Sequence, residues 1–184
     1  MRIICGKYKG KAIKMPAGIR PTQNKVRKAL FDILGDIEGL SFLELFAGSG
    51  AVGFEALSRG AAELVFVEAN RACQLAIRKN IKALNAVSCS LLALEARETI
   101  KRLHRDKREF DIVFMDPPYY MELAKKTLQT LVAYDILAPN GFIVIQHFKK
   151  DNLPGALGVF ALFRQSRYGD TLLSFYKKAD KKAI

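Results

Sequence analysis

From residue 41 onward, short apolar runs alternate with segments of helical length, and that alternation leaves few folds open. The apolar runs are 41–46, 64–67, 88–92, 112–115 and 142–146. They are nearly continuous in hydrophobic residues, as strands covered on both faces are. Between them, 51–59, 71–84, 96–105 and 122–133 carry helical spacing. This predicts a mostly parallel α/β sheet with helices on both faces. Asn140-Gly141 reads as the turn into the fifth run. Two closely spaced runs, 158–163 and 172–176, join near Gly169-Asp170 and predict an antiparallel C-terminal strand in a seven-stranded sheet.

The first forty residues are organised differently. Residues 2–15 alternate loosely around Gly6 and Gly10 and read as a short β-hairpin or extended arm. Arg20-Pro21-Thr22 then opens a helix, with Thr22 as N-cap and Val26, Ala29, Leu30, Ile33 and Leu34 on one face. The division expected is a basic arm over 1–20 and one α/β domain over 21–184. At 184 residues, half of them apolar, the chain supports a real core. No run approaches the roughly 18 apolar residues of a membrane span, and the N-terminus carries charge too early for a signal peptide. Three scattered cysteines and two histidines form no metal-ligand or disulfide pattern, so no metal and a reducing, cytoplasmic setting are expected.

The net charge is +12, and residues 1–31 hold nine basic residues and no acid. Lys and Arg gain affinity for nucleic acid by releasing counterions from phosphates. Arg2, Lys7, Lys9, Lys11, Arg20, Lys25 and Arg27 are therefore the candidate nucleic-acid-binding residues. The basic groups at 101–108 and 177–182 read as ordinary solvated surface.

Two motifs carry chemistry. The fourth apolar run ends in Asp116-Pro117-Pro118-Tyr119. Two prolines stop the strand, because neither can donate to a ladder. A carboxylate, the Pro117 carbonyl and a flat ring are thereby held at a strand end. That set suits an amino group on a planar heteroaromatic base, with Tyr119 stacking on it. The second motif is the turn Glu44-Leu45-Phe46-Ala47-Gly48-Ser49-Gly50. Its glycines admit a ligand to the backbone at a helix N-terminus. Glu68, with Ala69 and Asn70, follows the next run, where an acid binds ribose hydroxyls in doubly wound folds. Glu95-Ala96 follows the third, where an acid can accept from an adenine amine and a backbone N–H can read the ring. Gly48–Gly53 also fits the dinucleotide fingerprint G-x-G-x-x-G. Two features favour S-adenosylmethionine over NAD: Glu44 would attract an ammonium but repel a pyrophosphate, and Asp-Pro-Pro-Tyr has no role in hydride transfer.

With these residues in place the chain resembles the RsmD-type family of bacterial 16S rRNA guanine-N2 methyltransferases over nearly its whole length. The N-terminal part of the resemblance is Arg2-Ile3-Ile4-x-Gly6-x-Tyr8-x-Gly10, then Arg20-Pro21-Thr22 and Val26-Arg27-x-Ala29-Leu30-Phe31. The core part is Leu45–Gly50, Glu55–Ala61, Glu68 and Asp116–Tyr119. The resemblance implies the Rossmann-like class I methyltransferase fold. It implies S-adenosylmethionine near Thr22, Phe46–Gly50, Glu68 and Glu95-Ala96, and an amine at Asp116–Tyr119. It implies 16S rRNA in the 30S subunit or its precursor as substrate, and a monomer is expected. The chain departs from the family pattern in several places. Glu44 and Glu95 stand where Asp is more usual, and Cys5 replaces a glycine. Gln146 and His147 stand where an acid and a small residue are expected, a change read as leaving the transfer site untouched. Two other readings stay open: an amino-methyltransferase acting on adenine N6 in DNA or another RNA, and a non-catalytic RNA-binding assembly factor. Guanine rather than adenine rests on the resemblance alone.

Overall fold

The computed structural model describes residues 1–16, 24–118 and 122–179, so Arg20, Thr22 and Tyr119 lie outside the described residues. The chain forms two compact units, Met1–Ala96 and Arg97–Ile184.

The first unit contains α1 (Asn24–Leu34), β1 (Ser41–Leu45), α2 (Ala51–Ser58), β2 (Glu63–Val67), α3 (Arg71–Leu84) and β3 (Cys89–Leu92). β1 and β2 are buried along nearly their full length, as their unbroken apolar sequences require. Their order is β3-β2-β1, all parallel. The register pairs Leu45 with Val67 and Val67 with Leu92, which brings the C-terminal ends of the three strands level. The loops carrying Phe46–Gly50, Glu68–Asn70 and Glu95-Ala96 therefore leave one edge of this half-sheet together.

The arm is an antiparallel loop with a single bridge, Arg2 to Ala12, and Ile3 and Ile13 buried beneath it. It is held by α2. The Glu55 carboxylate, fully buried, accepts from the backbone N–H groups of Ile4 (2.7 Å) and Cys5 (3.0 Å) and from Arg59 Nε (2.9 Å). Ser58 Oγ accepts from Tyr8 N and donates to Cys5 O. Lys7 N donates to Ser58 O at 2.7 Å, so close an approach that a Cβ at Gly6 would stand 1.7 Å from that oxygen. Gly6, at φ +78°, is there because no side chain fits.

Arg27 completes this cluster, and here the structure corrects the sequence reading. Its guanidinium is 0% exposed, so it cannot reach a phosphate. Nε lies 3.8 Å from Glu55, and Nη2 donates to Arg2 O and Asn24 Oδ1, while Nη1 meets Met1 Sδ. Burial lowers its pKa, opposed by the Glu55 and Glu44 charges. The helical periodicity explains the burial: Arg27 follows Val26 and precedes Leu30 and Phe31 on the covered face of α1.

The second unit contains the rest of α4 (Ala96–Arg105), then β4 (Phe110–Met115), α5 (Leu123–Ala133), β5 (Leu137–Phe148), β6 (Ala156–Leu157), β7 (Phe160–Tyr168) and β8 (Thr171–Lys178). Its order is β4-β5-β8-β7-β6, with β4 and β5 parallel and the rest antiparallel, which makes eight strands in the sheet. The added strand is the two-residue β6. Asn140-Gly141 is not a turn but lies within β5, at a register shift opposite β4. A Cβ at Gly141 would meet Asp111 O and Phe110 O at 2.8 and 2.9 Å, so this glycine answers a close backbone approach. Among the described residues no helix is long and apolar enough to cross a membrane.

His147 is buried in this unit. Nδ1 faces the Phe148 carbonyl at 3.1 Å, which requires a proton there, so Nε2 accepts from Ser174 Oγ at 2.8 Å; Ser174 in turn accepts from Gln165. Burial pushes the His147 pKa below its ordinary 6.5, against the Phe148 carbonyl and the Asp151 charge. The unfolded state therefore binds a proton that the fold refuses. Stability is complete above about pH 6.5 and falls as pH drops through the window below it, by at most about 1.4 kcal/mol per unit. Urea midpoints at pH 7.5 and 5.5 should show this loss, and His147→Gln should reduce it; equal losses in both proteins would refute the assignment. In the first unit, Glu55→Ala leaves Arg27 buried and the arm unanchored. We expect a loss of about 3–5 kcal/mol by urea unfolding; a loss under about 1 kcal/mol would show that the arm holds itself.

Candidate active site

The turn after β1 is built by backbone conformations that most side chains resist. Phe46, Gly48 and Gly50 all have positive φ, at 58°, 56° and 76°. For Phe46 this is an unusual state, of the kind that concentrates at functional sites. Gly50 N closes the turn on Ala47 O at 2.7 Å, and Ala47 N donates to Val67 O. Gly50 O then accepts from Phe54 N and α2 begins. A Cβ at Gly50 would lie 2.7 Å from the Phe66 ring, and one at Gly53 would lie 2.6 Å from both that ring and Glu44 Oε2. The glycines of the fingerprint thus let α2 sit tightly on β1 and β2.

Two carboxylates flank the turn. Glu44 is buried, and its Oε2 accepts from Gly53 N at 2.9 Å. Its charge sits at the amino end of α2, where the helix dipole favours it. Glu68, half-buried at the end of β2, accepts from Gly48 N through Oε2 and from Asn70 N through Oε1, each at 2.7 Å. It pins the glycine turn to the neighbouring strand end. Ala69 and Asn70 are exposed, and Asn70 Oδ1 caps α3 by accepting from Ala72 N and Cys73 N. Glu95 is exposed immediately before α4, and Ala96 is buried as its first residue. The structure thus places Phe46–Gly50, Glu68–Asn70 and Glu95-Ala96 on one edge of the first unit.

Two side chains missed by sequence reasoning support this edge. Gln74 Nε2 donates to the carbonyls of Glu68 and Ala69. Asn80 on α3, buried, accepts from Lys14 N and donates to Lys14 O and Ser49 O. It ties the basic arm to the glycine turn. A polar residue amid the apolar face of α3 was the one signal available.

In the second unit, Asp116 and Pro117 follow the last ladder position of β4, Met115 opposite Ile145. Asp116 is half-buried, Pro117 buried and Pro118 exposed. Asp116 Oδ2 accepts from Gln146 Nε2 at 2.8 Å. On the sequence reading, the change at Gln146 leaves the transfer site untouched. The structure corrects this: the parallel register sets Gln146 beside Asp116. Among the described residues no group of His, Cys, Asp and Glu could hold a metal ion.

Of the basic residues, Arg2, Lys7, Lys9, Lys11 and Lys25 are exposed. Arg2 donates to Gly10 O, and Lys7 Nζ lies 5.5 Å from the Tyr8 ring centroid.

Comparison with known proteins adds kinship to this geometry. The family model described as conserved hypothetical protein 95 matches residues 1–177. The chain is 32% identical to ribosomal RNA small subunit methyltransferase D of Escherichia coli K12, over 97% of this chain and 90% of the relative. It is 36% identical to the protein of that name from Buchnera aphidicola, over 82% of this chain and 80% of the relative. A solved structure of a hypothetical protein from Thermus thermophilus matches with TM-score 0.84 at 35% identity, covering 95% of this chain and 98% of that one. The eight-stranded α/β sheet is the Rossmann-like methyltransferase fold, and the chain belongs to the conserved hypothetical protein 95 family, that of ribosomal RNA small subunit methyltransferase D.

Proposed function

We propose that this protein methylates the exocyclic N2 amine of a guanine in 16S rRNA, on the small subunit or its precursor, with S-adenosylmethionine as methyl donor. The observation that carries the reading is Asp116, held half-buried by Gln146 at the end of a buried strand, in a chain whose relatives are named rRNA small subunit methyltransferases.

The residues of the first unit suit the cofactor. Glu68 and Glu95 offer carboxylates to hydroxyl and amine donors at adjacent strand ends, and the half-buried Gly48 presents backbone without a side chain. Bound there, S-adenosylmethionine supplies an electrophilic sulfonium methyl. Glu68 would accept from the ribose hydroxyls, Glu95 from the adenine amine and the Ala96 N–H would read the ring. Glu44, beneath the turn, adds negative charge that favours an ammonium over a pyrophosphate.

Guanine N2 is a weak nucleophile, because its lone pair is delocalised into the ring. Asp116 and the Pro117 carbonyl would each hold one of its hydrogens, turning the nitrogen toward tetrahedral geometry and its lone pair toward the methyl. Orientation of this kind supplies much of the rate, and Asp116 takes up the released proton. A base stacked within a helix cannot reach such a site, so the guanine is unpaired or flipped, with Tyr119 stacking on it. Arg2, Lys7, Lys9, Lys11 and Lys25, with Arg20, would bind the RNA backbone.

The test is transfer of labelled methyl to small subunits lacking the modification, to deproteinised rRNA and to DNA, followed by nucleoside analysis. N2-methylguanosine is expected from the subunits; N6-methyladenine would replace the base assignment. Asp116→Ala should abolish transfer while S-adenosylmethionine affinity stays within about threefold, since Asp116 is assigned no cofactor contact. Near-normal turnover in that variant would sink the mechanism. Replacing Lys7, Lys9 and Lys11 by Gln should lower the slope of log affinity against log salt by about one for each phosphate the arm no longer neutralises. An unchanged slope would remove the arm from the RNA face.

A further inference from the structure

Gln146 does more than its hydrogen bond to Asp116 first suggests. The register Met115–Ile145 brings the next residue of each strand level, and the 2.8 Å contact puts the Gln146 amide against Asp116 Oδ2. A carboxylate only accepts, so the amide turns its NH2 group toward Asp116. Its other half is then an acceptor by necessity. Gln146 is 5% exposed, and Oε1 is buried with no hydrogen-bond partner among the described residues. A buried carbonyl without a donor is costly, and native folds keep few of them.

We propose that Gln146 selects the base: its Oε1 accepts the N1–H of the guanine whose N2 amine is held by Asp116. The inference rests on Asp116 being the acceptor for the amine. The purines differ at the ring nitrogen beside the exocyclic amine. Guanine N1 carries a hydrogen, so its N1–H and N2–H are adjacent donors. Adenine N1 carries a lone pair beside the N6 amine. Two adjacent acceptors, one on Asp116 and one on Gln146, match guanine and set lone pair against lone pair with adenine. The amide cannot rotate to accommodate adenine, because rotation would turn Oε1 onto the Asp116 carboxylate. Discrimination here is both attractive and repulsive.

The experiment compares small subunits reconstituted with 16S rRNA that carries either guanine or 2-aminopurine at the methylated position. 2-Aminopurine keeps the 2-amine, replaces N1–H by a lone pair and lacks O6. The wild-type protein should show kcat/KM about 10–100-fold higher for guanine, the range of one lost buried hydrogen bond. Gln146→Leu should lower kcat on guanine and bring the two bases within about threefold, with S-adenosylmethionine affinity unchanged. Equal rates on the two bases with the wild-type protein would overturn the inference whatever the variant does, and would leave the role of Asp116 standing. A persistent preference in a variant that still binds S-adenosylmethionine would overturn it as well. Label on adenine in native subunits would instead remove the reading on which it rests.

Discussion

A single buried carboxylate, Glu55, organises the amino-terminal unit. It is fully buried on α2, and it accepts from two backbone amides of the arm and from Arg59 while facing Arg27. A buried ion pair adds little net stability over an apolar pair of the same shape, but losing one partner is severe. The visible role of Glu55 is to fix where the arm docks on α2. It gives the amino-terminal arm one place to dock, with Gly6 and Ser58 fixing the distance of approach.

The arm so held reaches the glycine turn, the edge proposed for the cofactor, through Asn80. This buried amide bonds Lys14 on one side and Ser49 on the other, joining the segment assigned to RNA with the turn assigned to S-adenosylmethionine. The turn is itself set by Glu68 and by glycines packed on Phe66. Backbone amides, not side chains, are what most of these buried polar groups serve, which satisfies loop donors that have no ladder.

Much of this was legible in the sequence. Continuous apolar runs alternating with helical spacing gave the parallel sheet, because burial on both faces removes any reason for polar alternation. The glycine turn and the strand-ending prolines were legible because backbone geometry restricts those residues so strongly. Arg27 was misread since charge alone says nothing about which face of α1 carries it; the neighbouring Val26, Leu30 and Phe31 settle that. Asn140-Gly141 was misread as a turn because a close strand approach calls for the same glycine.

What the sequence determined by itself was local: which segments form strands and helices, where the chain must turn, and which residue types sit at strand ends. Only the tertiary structure decided the pairings of distant residues. Glu55 meets the arm from 51 residues away, Asn80 meets Lys14 from 66, and Gln146 meets Asp116 from 30. Periodicity assigns a residue to a face, but strand register assigns its neighbour, and register follows from packing that no local pattern records. For that reason the acid at the strand end could be read from the sequence, while the amide that orients it could not.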